Sequence, residues 1–359
     1  MHTWLLYGAY GFTGKLIVAE AVRRGQRPVL AGRDPVRLAE LANAYGLEWF
    51  ALDLDYPARL QEAVGRYDLV LHVAGPFRDT AEPMVRACLA AGTHYLDITG
   101  ELPVFEHVLA QDEAARRAGV ALMSGVGFDI VPTDCLARYV ADQLPDADWL
   151  ETAVASSGGV PTITAGTAKS ALGMMNRFPG GSVVRRDDQL VSVPLGRDSR
   201  EIRFSDGRTR TMSPSAWGDL VTAAHTTGIP NVTSYLALDL PPGSQTLAAV
   251  GARLLALGPV RRAAESVIER LFPGPDAHTQ ETSRGYLWAA ATNPALVQVE
   301  AWLEAPETYR FTALAALLCV ERVLAEQPRG ALTPAEAFGA DLVLAIDGVQ
   351  RFDRIPDGR

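Results

Sequence analysis

The stretch Leu5-Leu6-Tyr7-Gly8-Ala9-Tyr10-Gly11-Phe12-Thr13-Gly14 joins an apolar run to a helix-like segment through three glycines spaced three apart. A turn from a buried strand into a helix needs glycine for three reasons: unusual backbone angles, close approach of a pyrophosphate to the main chain, and tight packing of the helix on its strand. The N-terminus of the helix then offers free N–H groups and a positive dipole end to the phosphates. Gly8, Tyr10, Gly11, Phe12, Thr13 and Gly14 are therefore candidate dinucleotide contacts. The same triplet also suits an ordinary strand-to-helix turn, and the downstream sequence decides between the two.

Residues 3–7, 27–31, 48–52, 68–73, 93–98 and 120–124 read as short buried strands. Between them, segments near 12–24, 35–45, 80–91 and 103–118 place apolar residues at helical spacing. This alternation predicts a parallel sheet covered on both faces, a Rossmann-type doubly wound α/β fold over residues 1–130. After Gly127 the rhythm changes. A helix over 131–143, a strand near 151–156 and a helix near 164–177 lead into two segments that fold back on themselves. These are 183–194 around Asp187-Asp188 and 202–212 around Asp206-Gly207, the latter dipeptide a favoured hairpin turn. Strands at 232–238, 282–290 and 296–304 and a helix over 247–271 complete a second, α+β domain, 131–305, with a mainly antiparallel sheet. Residues 308–326 form a long amphipathic helix, and Thr333-Pro334-Ala335 predicts an N-cap with proline in the first helical position. This C-terminal helical segment, 306–359, is expected to pack back on the first domain.

With 359 residues, 48% hydrophobic content and a net charge of −9, the chain has material for two cores and little attraction for a polyanion. No dense basic block offsets that charge, which argues against nucleic acid and for a small-molecule partner. Apolar stretches such as 311–323 are too short or interrupted to span a bilayer, and the first residues lack the features of a signal peptide. A cytoplasmic location is expected. Cys88, Cys135 and Cys319 are odd in number and widely spaced, which suits reduced thiols, and no metal-ligand pattern is visible. Lysine occurs only at Lys15 and Lys169, which limits amine chemistry.

In a dinucleotide fold the end of the second strand lies beside the adenosine ribose and sets cofactor choice. Here it reads Ala31-Gly32-Arg33-Asp34-Pro35. An acid there favours NAD, but Asp before Pro is also a standard helix start, and capping is the reading adopted for Asp34. Arg33 is then left to face a 2′-phosphate with its planar, permanently charged fork, and Arg37 lies one turn further on, which predicts NADP. After the third strand, Asp53 accepts from the adenine amino group or caps its own loop. After the fourth, Ala74, Gly75, Pro76 and Phe77 set small residues and a proline where the backbone passes the nicotinamide ribose, while His72 reads as a buried core side chain.

The fifth and sixth strands run into Tyr95-Leu96-Asp97-Ile98-Thr99-Gly100-Glu101 and Gly127-Phe128-Asp129-Ile130-Val131-Pro132-Thr133-Asp134. Ligands of open parallel sheets bind at that carboxyl edge. Tyr95, Asp97 and Asp129 are the catalytic candidates: Tyr95 to orient substrate or donate a proton, the two carboxyls to handle a proton or hold the domain junction, with Glu101 as a further alternative. Tyr95 equally suits an aromatic packed beneath a helix, and Asp129 and Asp134 suit loop and helix caps. A carboxyl near the nicotinamide serves in proton transfer where burial raises its pKa.

Taken in order, GAYGFTG from Gly8, AGRD from Ala31, AGPF from Ala74, GTHYLDITGE from Gly92 and GFDIVPTD from Gly127 resemble the saccharopine dehydrogenase-like family of reductases, particularly its trans-acting enoyl reductase branch. The resemblance is strongest over the first 140 residues and continues weakly through Gly166-Thr167-Ala168-Lys169-Ser170, Gly180-Gly181-Ser182 and Leu332-Thr333-Pro334-Ala335. It implies an NADP-linked oxidoreductase that works as a homodimer, with an acyl or lipid-like small molecule as substrate. The leading expectation is hydride transfer to an enoyl C=C bond. One alternative is a saccharopine-type amino-acid or polyamine dehydrogenase acting on a C–N bond, whose multi-carboxylate substrate calls for converging arginines among Arg177, Arg185, Arg186, Arg203 and Arg284, with a lysine or histidine as base, Lys169 being the only lysine outside the cofactor loop. Another is a non-enzymatic NADP sensor or scaffold. Replacing Arg33 with alanine is expected to erase most of the preference for NADPH over NADH. Binding constants of both nucleotides on both proteins measure this, and unchanged discrimination removes Arg33 from the role.

Overall fold

The structure, a computed structural model, describes residues 2–157, 164, 181–194, 196–237 and 274–356. The chain divides into two compact units, Met1–Val131 with Tyr309–Phe338, and Pro132–Thr308 with Gly339–Arg359.

The first unit alternates as its sequence periodicity requires. Its elements are β1 (Trp4–Tyr7), α1 (Phe12–Arg23), β2 (Val29–Gly32), α2 (Pro35–Tyr45), β3 (Trp49–Ala51) and α3 (Pro57–Val64), followed by β4 (Leu69–His72), α4 (Phe77–Ala91), β5 (His94–Asp97), α5 (Leu102–Leu109), α6 (Asp112–Ala118) and β6 (Ala121–Met123). The strands stand in the order β6-β5-β4-β1-β2-β3, every pairing is parallel, and Gly330–Ala331 adds a seventh strand beside β6. Neighbouring residues such as Leu5 and Leu6, or Val70 and Leu71, are both fully buried, as expected of a parallel sheet with helices on each face. Because β1 has β2 on one side and β4 on the other, connections leave it in opposite directions, and a crevice opens at its carboxyl end.

Two local readings change. Helix α3 has no counterpart among the expected elements; it is short, and its burial rests on Leu60 and Val64, one turn apart. The continuous helix expected over 103–118 is two, because the chain leaves the helix at Ala110 and restarts with Gln111 as N-cap of α6.

Helix α7 (Val131–Gln143) leads into the second unit. Its strands are β7 (Trp149–Ser156), β8 (Gly181–Arg186), β9 (Gln189–Pro194), β10 (Arg200–Arg203), β11 (Thr209–Pro214) and, after α8 (Asp219–Thr227), β12 (Asn231–Ala237). After α9 (Ala277–Thr282) come β13 (Arg284–Thr292) and β14 (Gln298–Pro306). The described strands form a mixed sheet in which β7 and β12 are parallel and the other pairings antiparallel. The β8–β9 hairpin closes through Asp187 and Asp188, both at positive φ (45° and 64°), the geometry of a two-residue turn that follows the strand twist.

The chain then returns to the first unit through α10 (Thr308–Glu326), β15 (Gly330–Ala331) and α11 (Pro334–Phe338). Thr333 Oγ1 accepts from Glu336 N at 3.2 Å and Glu336 Oε2 accepts from Thr333 N at 3.4 Å, a reciprocal cap that starts α11. The segment expected to act as one piece, 306–359, is divided: β16 (Gln350–Phe352) pairs with β14, which assigns 339–359 to the second unit. The expected helix over 247–271, and that near 164–177 apart from Thr164, lie outside the described residues, as do Lys169 and Arg177.

A buried polar knot ties the second unit together. Asp219, in the first turn of α8, is fully buried and accepts from Thr133 Oγ1 (2.6 Å), Thr152 Oγ1 (2.7 Å) and Ser234 Oγ (3.2 Å), which come from α7, β7 and β12. Asp134, also fully buried, accepts from Thr226 Oγ1 at 2.5 Å. Thr133 and Asp134 thus anchor α7 within this unit, in keeping with the structural alternative for Asp134. Burial, with Asp134 nearby, pushes the Asp219 carboxyl up to about 7 from 3.8. Its contribution to stability is complete below pH 3.8 and is lost as pH rises through about 7, because the unfolded chain gives up the proton first. Asp219→Asn removes that slope. Denaturant titrations at pH 5 and pH 8 are expected to show the variant gaining on the wild type at the higher pH, by up to about 4 kcal/mol over the whole window.

Candidate active site

Six loops, one after each of β1 to β6, lie at the carboxyl edge of the parallel sheet, and the first is shaped by lack of room. Gly8 lies at φ +91°, and a Cβ there would stand 2.8 Å from both Cβ and N of Ala74. A Cβ on Gly14 would stand 2.5 Å from the carbonyl oxygen of Ala9 and 2.7 Å from that of Gly8. These are backbone clashes with no flexible partner to move aside. Gly11 differs: its Cβ would meet Gly8 O at 3.3 Å and nothing nearer. A side chain at Gly11 thus asks the protein for only a few tenths of an ångström of give, whereas close approach of a ligand would leave it no room. Helix α1 begins there with no side-chain cap and no acid in its first turn, leaving its N–H groups for an anion. Tyr10, Phe12 and Thr13 are all partly exposed around this turn.

The second loop lies against the first. A Cβ on Gly32 would meet Tyr10 Cε1 at 2.7 Å, so glycine is what lets the tyrosine ring lie across the end of β2. The Arg37 guanidinium stands 4.6 Å above that ring and donates to Tyr10 O at 3.3 Å. Asp34 caps α2, accepting from Val36 N (3.0 Å) and Arg37 N (3.2 Å), and so is engaged away from any ribose. Arg33 is exposed and makes no hydrogen bond or ion pair with the described residues. In the third loop Asp53 accepts from Asp55 N at 3.1 Å, the loop-capping alternative, with Leu52 and Leu54 buried on either side.

The fourth loop contains a cis Gly75–Pro76 bond and is held from two directions. Thr80 Oγ1 donates to Ala74 O (2.8 Å) and Pro76 O (3.1 Å), while the N–H groups of Phe77 and Arg78 both donate to the Glu101 carboxylate at 3.0 Å. His72 is fully buried, its ring edge-on to Tyr7 and Phe77, and burial drives its imidazole down to about 3, so it is neutral.

In the fifth and sixth loops the structure moves Tyr95 and Asp97 away from proton donation. Tyr95 has no exposed surface; its hydroxyl donates to Asp97 Oδ2 at 2.8 Å and lies 3.2 Å from His72 Nδ1. Burial, followed by the adjacent Asp97, holds its proton well above the ordinary phenol range. Asp97, equally buried, also accepts from Ser124 Oγ (2.7 Å), Thr99 N (2.9 Å) and Gly125 N (3.0 Å). Burial raises its pKa and these donors pull it back. Both side chains brace the loops. Asp129 remains partly exposed, with Oδ2 2.6 Å from where a Gly100 Cβ would be, and burial pushes its carboxyl up to about 6. Of the three catalytic candidates it alone keeps a surface and a pKa suited to proton exchange near neutrality.

Of the arginines expected to gather around a multi-carboxylate substrate, three are engaged within the protein, while Arg203 is exposed and lines a surface cavity with Arg200 and Arg354. Arg185 pairs with Asp188, Arg186 binds Val232 O and Thr233 Oγ1 over the Trp149 ring, and Arg284 donates to the carbonyls of Glu281 and Ser283. The residues that sequence patterning left unassigned are Gly32, Thr80 and Ser124. Only Gly32 carried a local signal, its place at the strand end.

Comparison with known proteins bears on the first unit. Residues 4–123 match the family described as the saccharopine dehydrogenase NADP binding domain, and NADP is accordingly the cofactor of the first unit. A trans-acting enoyl reductase of Mycobacterium ulcerans (strain Agy99) is 35% identical over 144 residues, 38% of this chain and 34% of that protein. A saccharopine dehydrogenase-like oxidoreductase of Rattus norvegicus is 31% identical over 163 residues, 39% of this chain and 37% of that one. The chain thus aligns with about a third of the length of these curated relatives. An apo saccharopine dehydrogenase (L-Glu forming) from Saccharomyces cerevisiae shares the fold, with a TM-score of 0.65 over 98% of this chain and 100% of that one at 11% identity. No helix among the described residues is long and apolar enough to cross a membrane. Gly11→Ala is expected to leave the melting temperature within a few degrees of wild type while weakening NADPH binding about tenfold or more. Fluorescence titration measures it, and unchanged affinity would take the pyrophosphate away from this loop.

Proposed function

We propose that this chain, whose residues 4–123 carry the saccharopine dehydrogenase-type NADP-binding domain, is an NADP-dependent reductase that adds hydrogen across the C=C bond of an enoyl or related acyl substrate. The observation that carries this reading is the make-up of the carboxyl edge: a glycine cradle, a cationic Arg33 with no hydrogen-bond or ion-pair partner among the described residues, and Asp129 as a partly exposed carboxyl of raised pKa. The relatives named trans-acting enoyl reductases support the substrate class. A C–N substrate bearing several carboxylates is less well served, since Arg185, Arg186 and Arg284 are engaged within the protein.

The residues divide the work. Gly8, Gly11 and Gly14 let the backbone of the turn and the first N–H groups of α1 take the pyrophosphate. Arg33, with Arg37 steadied on Tyr10, takes the 2′-phosphate through charge-assisted hydrogen bonds. Asp53 lies toward the adenine, and Ala74, Gly75, Pro76 and Phe77 line the nicotinamide side. NADPH, when bound, supplies the hydride. The reduced bond then needs a proton on its second carbon, and Asp129 in its neutral form holds one, returning to the carboxylate as the C–H bond forms. Tyr95 and Asp97 keep the fifth and sixth loops in register beneath it.

Stopped-flow oxidation of NADPH with a panel of enoyl thioesters tests the reading. The expected result is turnover that declines as pH rises through about 6, where Asp129 loses its proton. Turnover of an imine or keto acid without any enoyl thioester would overturn the substrate class. Tight NADPH binding with no consumption on any class would make the protein a nucleotide sensor.

A further inference from the structure

Glu101 stands immediately before α5, where its sequence position suggests the N-cap of that helix, yet its side chain makes no cap there. It turns instead to the preceding crossover. Its carboxylate, 3% exposed, accepts from Phe77 N through Oε1 and from Arg78 N through Oε2, both at 3.0 Å. These are the first two residues of α4, whose N–H groups have no partner within the helix, and a carboxylate there also complements the helix dipole. Glu101 is anchored in turn: its N–H donates to Thr99 Oγ1 (3.1 Å), Thr99 N donates to Asp97 Oδ1 (2.9 Å), and Asp97 takes Ser124 and Gly125 of the sixth loop. A continuous line of hydrogen bonds thus runs from the loop after β6, through the loop after β5, to the start of α4. The loop it ends on, Ala74 to Phe77, is the one that touches Gly8.

From this line we infer that Glu101 is a positioning residue for the cofactor: docked on the first turn of α4, it sets the Ala74–Phe77 loop for the nicotinamide half of NADP(H), independently of the phosphate half held at α1 and Arg33. The inference rests on the NADP site proposed above. It gives Glu101 no contact with substrate and no part in proton transfer. With a protein carboxylate on the start of α4 and Asp34 on that of α2, the start of α1 beside Gly8 and Gly14 keeps its N–H groups without a side-chain cap.

Two ligands separate this role from general stability: NADPH, and 2′-phospho-ADP-ribose, which has the phosphates and adenosine but no nicotinamide. In Glu101→Gln one oxygen becomes an NH2 group that cannot accept, so one N–H of α4 loses its partner. NADPH affinity is expected to fall about tenfold or more, the scale of one hydrogen bond to a charged group, while 2′-phospho-ADP-ribose binds as in wild type. Thr80→Val, which releases the same loop from its carbonyl side, is expected to show the same split in milder form and serves if the Glu101 variant does not fold. Equal weakening of both ligands, or of neither, in variants of a wild type that binds both would overturn the role of Glu101 alone. A wild type that binds neither ligand would overturn the NADP site and this role with it.

Discussion

Backbone crowding at the end of β1 governs the first unit. There is no room for a Cβ at Gly8 against Ala74, or at Gly14 against the carbonyls of Ala9 and Gly8. The strand therefore passes into α1 with the turn pressed on the loop after β4, at the place where the strand order reverses. Parallel strands with covered faces leave their functional groups little choice but the carboxyl edge, and this turn is its centre.

Around that centre, charge is managed by spending some carboxylates on backbone. Asp34 caps α2, Glu101 caps α4 from across a loop, and Asp97 collects donors from three neighbouring segments. A buried carboxylate without such donors would cost several kcal/mol, so each is tied to N–H or O–H groups that would otherwise be unsatisfied themselves. Arg33 is left without a hydrogen-bond or ion-pair partner among the described residues, and Asp129 has a raised pKa and partial exposure. Perturbed titratable groups at such an edge are where a ligand site is sought.

The second unit solves a different problem. Its sheet is assembled from hairpins, legible where Asp187-Asp188 and Asp206-Gly207 supply the turn chemistry, and from one parallel pairing of β7 with β12 that no local pattern announces. Helix α8 has no counterpart among the expected elements because its residues are buried nearly all round, so no amphipathic stripe marks it, and nothing local sets Asp219 in its first turn apart. Only the convergence of Thr133, Thr152 and Ser234 makes that acid part of a core.

The sequence by itself determined the alternation of strands and helices, the glycine turn, the cap at Asp34 and the cationic residue at the end of β2. Each of these is written within a few residues, in periodicity, backbone freedom or side-chain chemistry. Tertiary structure decided which acids are wholly buried braces and which keeps an exposed surface. Tyr95 and Asp97 were as plausible as Asp129 while they were only polar residues at a strand end. Burial, a property of the whole packed unit, converts the first two into framework and gives the third its pKa. The same holds for Glu101, whose partner lies 24 residues away across the sheet edge and can be found only once β4 and β5 are side by side.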